Sequence, residues 1–289
     1  MNVLQTVQLQ EMLAHVVQIA VQAGSRILEV YAADFAVHYK QDDSPLTRAD
    51  RRSHDHIVSR LDGLVTADGN CLPVLSEEGK DIPHGERKSW RHYWLVDPLD
   101  GTKEFIKRNG EFTVNIALIQ RQKPVLGVVL IPALDLLYFC AQGVGAYKLD
   151  QAAAVFDRQG APGQVKAAGI DELISSARRL PLPVQKKAET LVVAGSRSHR
   201  SRKFDDYVQS LKGQGKQVQI VSRGSSLKFC LVAEGTADLY PRFGPTMEWD
   251  TAAGQALCEC VGKKVAGYAT GKALVYNKES LVNPEFLVG

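Results

Sequence analysis

The residues best equipped for chemistry lie in one stretch, Asp97-Pro98-Leu99-Asp100-Gly101-Thr102. The apolar run Trp94-Leu95-Val96 before it has the character of a buried strand end. Pro98 has no N–H for a strand ladder, so the strand is expected to stop after Asp97. The break turns the Leu99 carbonyl and the Asp100 carboxylate to the same side as Asp97. Hard oxygen donors of this kind suit Mg²⁺, usually held together with substrate phosphate. Gly101 admits close backbone approach, and Thr102 is a good N-cap for a helix opening at Lys103. The N–H groups of Gly101 and Thr102 then offer a seat for an anion. Taken alone, the turn also reads as a solvated Asx-rich loop capping a helix.

Acids in three further segments decide between these readings. Asp50 follows Thr47 by three residues at a helix start, where it either caps the helix or faces the metal site as a base. Glu77 and Glu78 follow the strand Pro73-Val74-Leu75-Ser76, and alternation lets only one of them point inward. Asp250 sits in Glu248-Trp249-Asp250-Thr251-Ala252-Ala253-Gly254, where it can N-cap a helix for Ala252 and Ala253. The small residues that follow imply that something packs tightly against that helix.

The elements that must position these groups follow from patterning. Residues 7–31 carry apolar side chains at helical spacing, and 37–40 read as a short strand. Segments 112–119 and 124–131 are paired strands, and 136–141 and 145–149 extend the sheet. Residues 80–92 read as a surface loop with His84 and His92 in solvent. Residues 150–188 are weakly patterned and mark a boundary between residues 1–150, an α+β half, and residues 151–289, an α/β half. In the latter, strands at 191–194, 218–221 and 237–240 alternate with helices from Ser201 and after Gly224-Ser225-Ser226. Small and hydroxyl residues at these strand tips, Ser196 among them, suit a phosphate or ribose pocket.

Composition excludes other classes. The 289 residues are 45% hydrophobic and 23% charged, ordinary for a globular protein with a proper core. A net charge of +3 is too small to argue for nucleic acid. The N-terminus, with polar Asn2, Gln5 and Gln8, does not read as a signal peptide, and no apolar run approaches the roughly 20 residues of a membrane span. The five cysteines lack zinc-like spacing and read as reduced core thiols of a cytoplasmic protein.

Three motifs in order and at matching spacing, Ser76-Glu77-Glu78, Asp97 through Thr102, and Trp249 through Gly254, resemble the lithium-sensitive, magnesium-dependent phosphatases of the inositol monophosphatase family. Trp94–Leu118 and Gly224–Gly244 look most like its bacterial 3'(2'),5'-bisphosphate nucleotidases. The resemblance implies the layered α/β/α/β/α sandwich of the inositol monophosphatase and fructose-1,6-bisphosphatase type. It implies two or three Mg²⁺ ions and inhibition by Li⁺. Asp97 would bridge two ions, one shared with Glu77 and the Leu99 carbonyl, the other with Asp100 and Asp250; a third would sit near Glu77 and Asp50. Thr102 would relay a water proton to Asp50. Leu99, Asp100, Gly101 and Thr102, bordered by Glu77 and Asp250, would hold the 3'-phosphate. Ser196, His199, Gly224 and Lys228 would lie along the nucleoside and its 5'-phosphate.

The activity so implied is hydrolysis of adenosine 3',5'-bisphosphate to AMP and phosphate, and of its 5'-phosphosulfate precursor, in sulfur assimilation. The partner is then a small phosphorylated nucleotide, with no nucleic acid and no obligatory protein partner. Relatives point to the cytoplasm, with peripheral association at the inner membrane. An inositol or sugar phosphatase on the same scaffold is the alternative, and a non-catalytic nucleotide or metal sensor is a third reading. The sensor has no need of the Asp50–Thr102 pair.

Overall fold

The computed structural model describes residues 4–33, 45–66, 69–157, 169–183, 189–198 and 200–289. The chain begins with two long helices, α1 (Thr6–Ala32) and α2 (Pro45–Leu61). Strand β1 (Val74–Ser76) and the short α3 (His84–Arg87) lead into β2 (His92–Asp100) and α4 (Thr102–Ile106). Strands β3 (Thr113–Gln120), β4 (Lys123–Ile131), β5 (Leu136–Ala141) and β6 (Gly145–Asp150) form a meander. Helices α5 (Ala152–Asp157) and α6 (Ile170–Ser176) precede β7 (Arg178–Arg179). These seven strands make one sheet in sequence order, parallel only between β1 and β2. The second half supplies β8 (Thr190–Ser196), α7 (Arg202–Gly213), β9 (Gln217–Arg223), α8 (Leu227–Glu234), β10 (Tyr240–Arg242), α9 (Glu248–Cys260), β11 (Val265–Gly267) and β12 (Phe286–Val288).

Period-two burial explains the layering. Trp94, Val96, Ile116, Leu118, Val128 and Leu130 face α1 and α2, while Tyr93, Leu95, Ala117, Ile119, Val129 and Ile131 face α8 and α9. Each fully buried Val, Leu or Ile among these contributes about 1.5–3 kcal/mol of transfer free energy. Beyond α8 and α9 lie the β8–β9 pair and the β10-β12-β11 sheet. Helix α7 closes the stack by burying Phe204, Val208 and Leu211 against Val193. The result is the α/β/α/β/α sandwich.

The small residues of α9 allow that central layer to sit close. A Cβ on Gly127 of β4 would meet the Ala253 carbonyl at 2.6 Å, and one on Gly254 would meet the Phe229 ring of α8 at 2.4 Å. The tight neighbour inferred from the sequence is therefore the sheet on one side and α8 on the other.

Several local expectations need correction. Pro98 does not end its strand. Asp97 pairs with Asn115 and Asp100 with Thr113, so β2 carries one extra residue, a bulge that takes Pro98 and Leu99 out of the ladder. Ser53 Oγ of α2 donates to the Pro98 carbonyl at 2.8 Å and braces the bulge. Helix α2 begins at Pro45, so Thr47 and Asp50 lie inside it rather than at its cap. Gly101, at φ 100° and ψ 50°, is the N-cap of α4, and Thr102 is its first residue. His92 is buried and paired with Gln120 at 3.0 Å. Segment 80–92 is not all surface, since the buried Arg87 donates to Asn277 Oδ1 at 2.9 Å and to the Glu279 carbonyl at 3.0 Å. The strand expected at 237–240 is regular only over Tyr240–Arg242. The strand expected at 37–40 lies outside the described residues.

Candidate active site

The β2 bulge places Asp97 at the bottom of the site. Its side chain is buried, and Oδ1 accepts the Leu99 amide at 3.1 Å. Glu77 follows the tip of parallel neighbour β1, and its amide donates to the Val96 carbonyl at 3.1 Å. Asp250 comes from the first turn of α9, where Oδ2 accepts the Met247 amide at 2.9 Å. It thus caps its helix backwards, at the third position rather than as the N-cap, and keeps Oδ1 for other use. Carboxylate oxygens of Glu77, Asp97 and Asp250 lie within 4.8 Å of one another, a spacing that can hold a metal ion.

Packing so many acids in one place raises their proton affinity. Burial first, then Asp100, Glu77, Asp250 and Asp50, pushes Asp97 well above the usual carboxylate range. Burial and the Asp100 charge push Asp250 up to about 8. Glu77, the most open of the three, is raised by partial burial and by Asp100 and Glu78, against a lowering hydrogen bond with Asp97. No positively charged side chain makes an ion pair with the three among the described residues. A bound divalent cation fits this donor set because it offsets repulsion that the protein leaves standing.

Asp100 stands beside this trio. Its Oδ2 lies 3.5 Å from Thr113 Oγ1 and from Ser226 Oγ, and burial raises its pKa against the opposing Lys228 charge. Asp50 is carried by α2, and its Oδ1 lacks a hydrogen-bond partner among the described residues. Burial, then Glu78 and Glu77, push it up to about 8. Both acids after β1 therefore bear on the site. Among the described residues no hydrogen bond joins Thr102 to Asp50.

A cavity of about 370 Å³ opens beside the acids. Asp100, Thr102, Ser196, Lys228 and Asp250 line it, as sequence reasoning expected, together with Arg242. Lys228 is already engaged. It is buried, donating to the Ser225 carbonyl at 2.5 Å and to the Arg223 carbonyl at 3.3 Å. Burial lowers it to about 8. Gly224 is engaged too, since its amide donates to Glu111 Oε2 at 2.8 Å and it does not line the cavity. Gly101 is required where it is, because a Cβ there would meet Ser225 Oγ at 2.1 Å. His199 lies outside the described residues.

Sequence reasoning missed two features. Arg242 of β10 borders the cavity and lowers the proton affinity of Asp100 and Asp250 by its charge. It stood in the stretch Leu239-Tyr240-Pro241-Arg242, with no charge pattern marking it out. Glu111 takes a bidentate bond from Arg197, both contacts at 2.8 Å, besides the Gly224 amide. It thereby docks the tips of β8 and β9 against the segment that follows α4.

Similarity to known proteins runs the length of the chain. The model of the inositol monophosphatase family matches residues 8–286. The 3'(2'),5'-bisphosphate nucleotidase CysQ of Salmonella typhimurium is 47% identical over 281 residues, covering 96% of this chain and 99% of that protein. CysQ of Escherichia coli strain K12 is 46% identical over the same shares. The crystal structure of CysQ from Bacteroides thetaiotaomicron, a bacterial member of the inositol monophosphatase family, superposes with a TM-score of 0.85 at 43% identity, covering 96% of this chain and 97% of that one. With three acid-bearing segments converging on the layered sandwich, the chain belongs to the inositol monophosphatase family.

Proposed function

We propose that this protein is a phosphoric monoester hydrolase, a 3'(2'),5'-bisphosphate nucleotidase that converts adenosine 3',5'-bisphosphate to AMP and phosphate. The reading extends to the 5'-phosphosulfate analogue and to a role in sulfur assimilation. The carrying observation is the meeting of Glu77, Asp97 and Asp250 within 4.8 Å, from segments far apart in the chain. Residues 1–150 supply Asp50, Glu77, Asp97, the Leu99 carbonyl and Asp100, and residues 151–289 supply Asp250 and the nucleotide-side contacts. The family is metal-dependent, and Glu77, Asp97, the Leu99 carbonyl, Asp100 and Asp250 would hold two or three Mg²⁺ ions. When bound, Mg²⁺ supplies charge stabilisation of the phosphoryl oxygens and lowers the pKa of water.

The chain's own groups do the rest. Asp50 Oδ1, buried without a partner, is an acceptor for the proton that the attacking water gives up. Thr102 borders the cavity and orients that water through its hydroxyl. The Gly101–Thr102 turn seats the 3'-phosphate. Arg242, whose guanidinium can bind two oxygens at once, faces the second phosphate of the substrate. Ser196 borders the nucleoside side of the cavity. Five cysteines without a disulfide support a reducing, cytoplasmic setting. Among the described residues no helix is long and apolar enough to cross a membrane.

Phosphate release from a small substrate panel tests the reading. With Mg²⁺, kcat/KM for adenosine 3',5'-bisphosphate should exceed that for inositol 1-phosphate by at least about 100-fold, reflecting the second phosphate. Chelation should abolish turnover and Li⁺ should inhibit it. Preference for inositol phosphate would instead support the alternative of an inositol or sugar phosphatase.

A further inference from the structure

A cavity larger than the one beside the acids lies elsewhere among the described residues. This second cavity, of about 750 Å³, is lined by Arg121, Lys123, Gln142, Arg179, Glu259 and Cys260, among others. Its size falls within the range of small-molecule sites. Three cations meet one carboxylate there. None of Arg121, Lys123 and Arg179 makes an ion pair among the described residues. Glu259 is held by Gln255 Nε2 at 2.8 Å.

The β3–β4 turn supplies the first of these cations under strain. Arg121 and Gln122 both have positive φ, 48° and 68°, in a two-residue turn that ordinarily takes Asn-Gly. The turn is pinned at each side, by the Arg121 amide on the Arg91 carbonyl at 2.8 Å and by the Tyr276 amide on the Gln122 carbonyl at 3.1 Å. The Arg121 guanidinium is thus presented from a fixed backbone. Arg179 faces it from β7 and Lys123 from the start of β4.

We infer that this cavity is a second ligand site, for a phosphorylated small molecule of two or more negative charges gripped by Arg121, Arg179 and Lys123. Guanidinium pairs match phosphate oxygens bidentately, and an ammonium adds a point charge. The site also has a bearing on catalysis. It lies at the C-terminal end of α9, about 15 Å along the helix from Asp250 by the rise per residue. Tyr276, bonded to the strained turn through its amide, holds α9 through its hydroxyl, at 2.8 Å from Gln255 Oε1 and 3.2 Å from Thr251 Oγ1. Thr251 lines the catalytic cavity. A ligand held by Arg121 is therefore connected, through the turn and Tyr276, to the helix that carries Asp250.

Cys260 gives a local readout, because it lines this cavity while Cys71 lies exposed elsewhere. Alkylation of each thiol is followed by mass spectrometry in metal-free protein, with inorganic pyrophosphate, AMP or citrate added. At ten times the dissociation constant, pyrophosphate or AMP should slow Cys260 alkylation about tenfold and leave Cys71 unchanged. An Arg121→Ala/Arg179→Ala double variant should lose that protection while keeping wild-type turnover. Equilibrium dialysis with labelled AMP should count one bound equivalent fewer in the double variant. Undiminished stoichiometry in the double variant would overturn the site, as would protection by citrate alone or equal protection in both proteins. None of these results depends on the nucleotidase reading.

Discussion

At the scale of single residues, the active site is a set of acids that oppose one another unless a cation joins them. Asp97 sits lowest and feels all the others. Asp97→Asn should reduce turnover by at least about 100-fold, while the melting temperature measured with chelator should stay level or rise because repulsion is relieved. Arg242→Ala should raise KM for adenosine 3',5'-bisphosphate by about 10–150-fold, the equivalent of a charged hydrogen bond of about 1.5–3 kcal/mol, and spare inositol 1-phosphate. Lys228→Ala tests a different role, because its ammonium satisfies two backbone carbonyls. Its signature should be lost stability, about 1–3 kcal/mol in urea unfolding, more than a substrate-specific KM. Glu77, Asp100 and Asp250 were legible in the sequence because each lies at a strand end or in the first turn of a helix, and Asp97 because Pro98 beside it marks a break in the ladder. Arg242 and the occupied state of Lys228 were not, since neither contact is local in sequence.

At the scale of elements, the site depends on how closely α9 lies on the sheet. Gly127→Ala would drive a methyl group against the Ala253 carbonyl. It should destabilise by about 1–3 kcal/mol and lower turnover by displacing Asp250, both readable from urea midpoints and phosphate release on one preparation. Helices α1 and α2 make a separate, pH-dependent contact, His56 Nε2 at 3.0 Å from Gln22 Oε1. Burial first, then Arg26 and Arg60, lower His56 to about 4 from an ordinary 6.5. The folded state therefore keeps this ring neutral while the unfolded chain takes up a proton below pH 6.5. Its share of stability is present above that pH and is lost as pH falls towards about 4. His56→Gln should flatten the fall in melting temperature across that window. The small-residue run of α9 and the strand alternation of the sheet were readable because both are periodic. The buried Arg87 was not. Its partner Asn277 is 190 residues away, and the segment around it is locally as polar as any surface loop.

At the scale of the whole molecule, the layers serve to bring distant stretches of chain to one point. The first half closes a sheet whose bulge carries Asp97 and Asp100, and the second half slides α9 beneath it with Asp250 at the leading end. The order of motifs in the sequence anticipated that arrangement, but the depth of each acid and the second cavity depend on packing that no single segment encodes. The most direct test is calorimetric titration of Mg²⁺ into the metal-free protein, paired with phosphate release from adenosine 3',5'-bisphosphate over the same concentrations. Wild type should bind the ion with turnover rising in step, and at 100 times the dissociation constant it should gain about 2.7 kcal/mol of stability. Asp97→Asn should lose the tight binding and the turnover together. Full turnover by Asp97→Asn at ordinary Mg²⁺, or by the wild type without any divalent ion, would contradict the account.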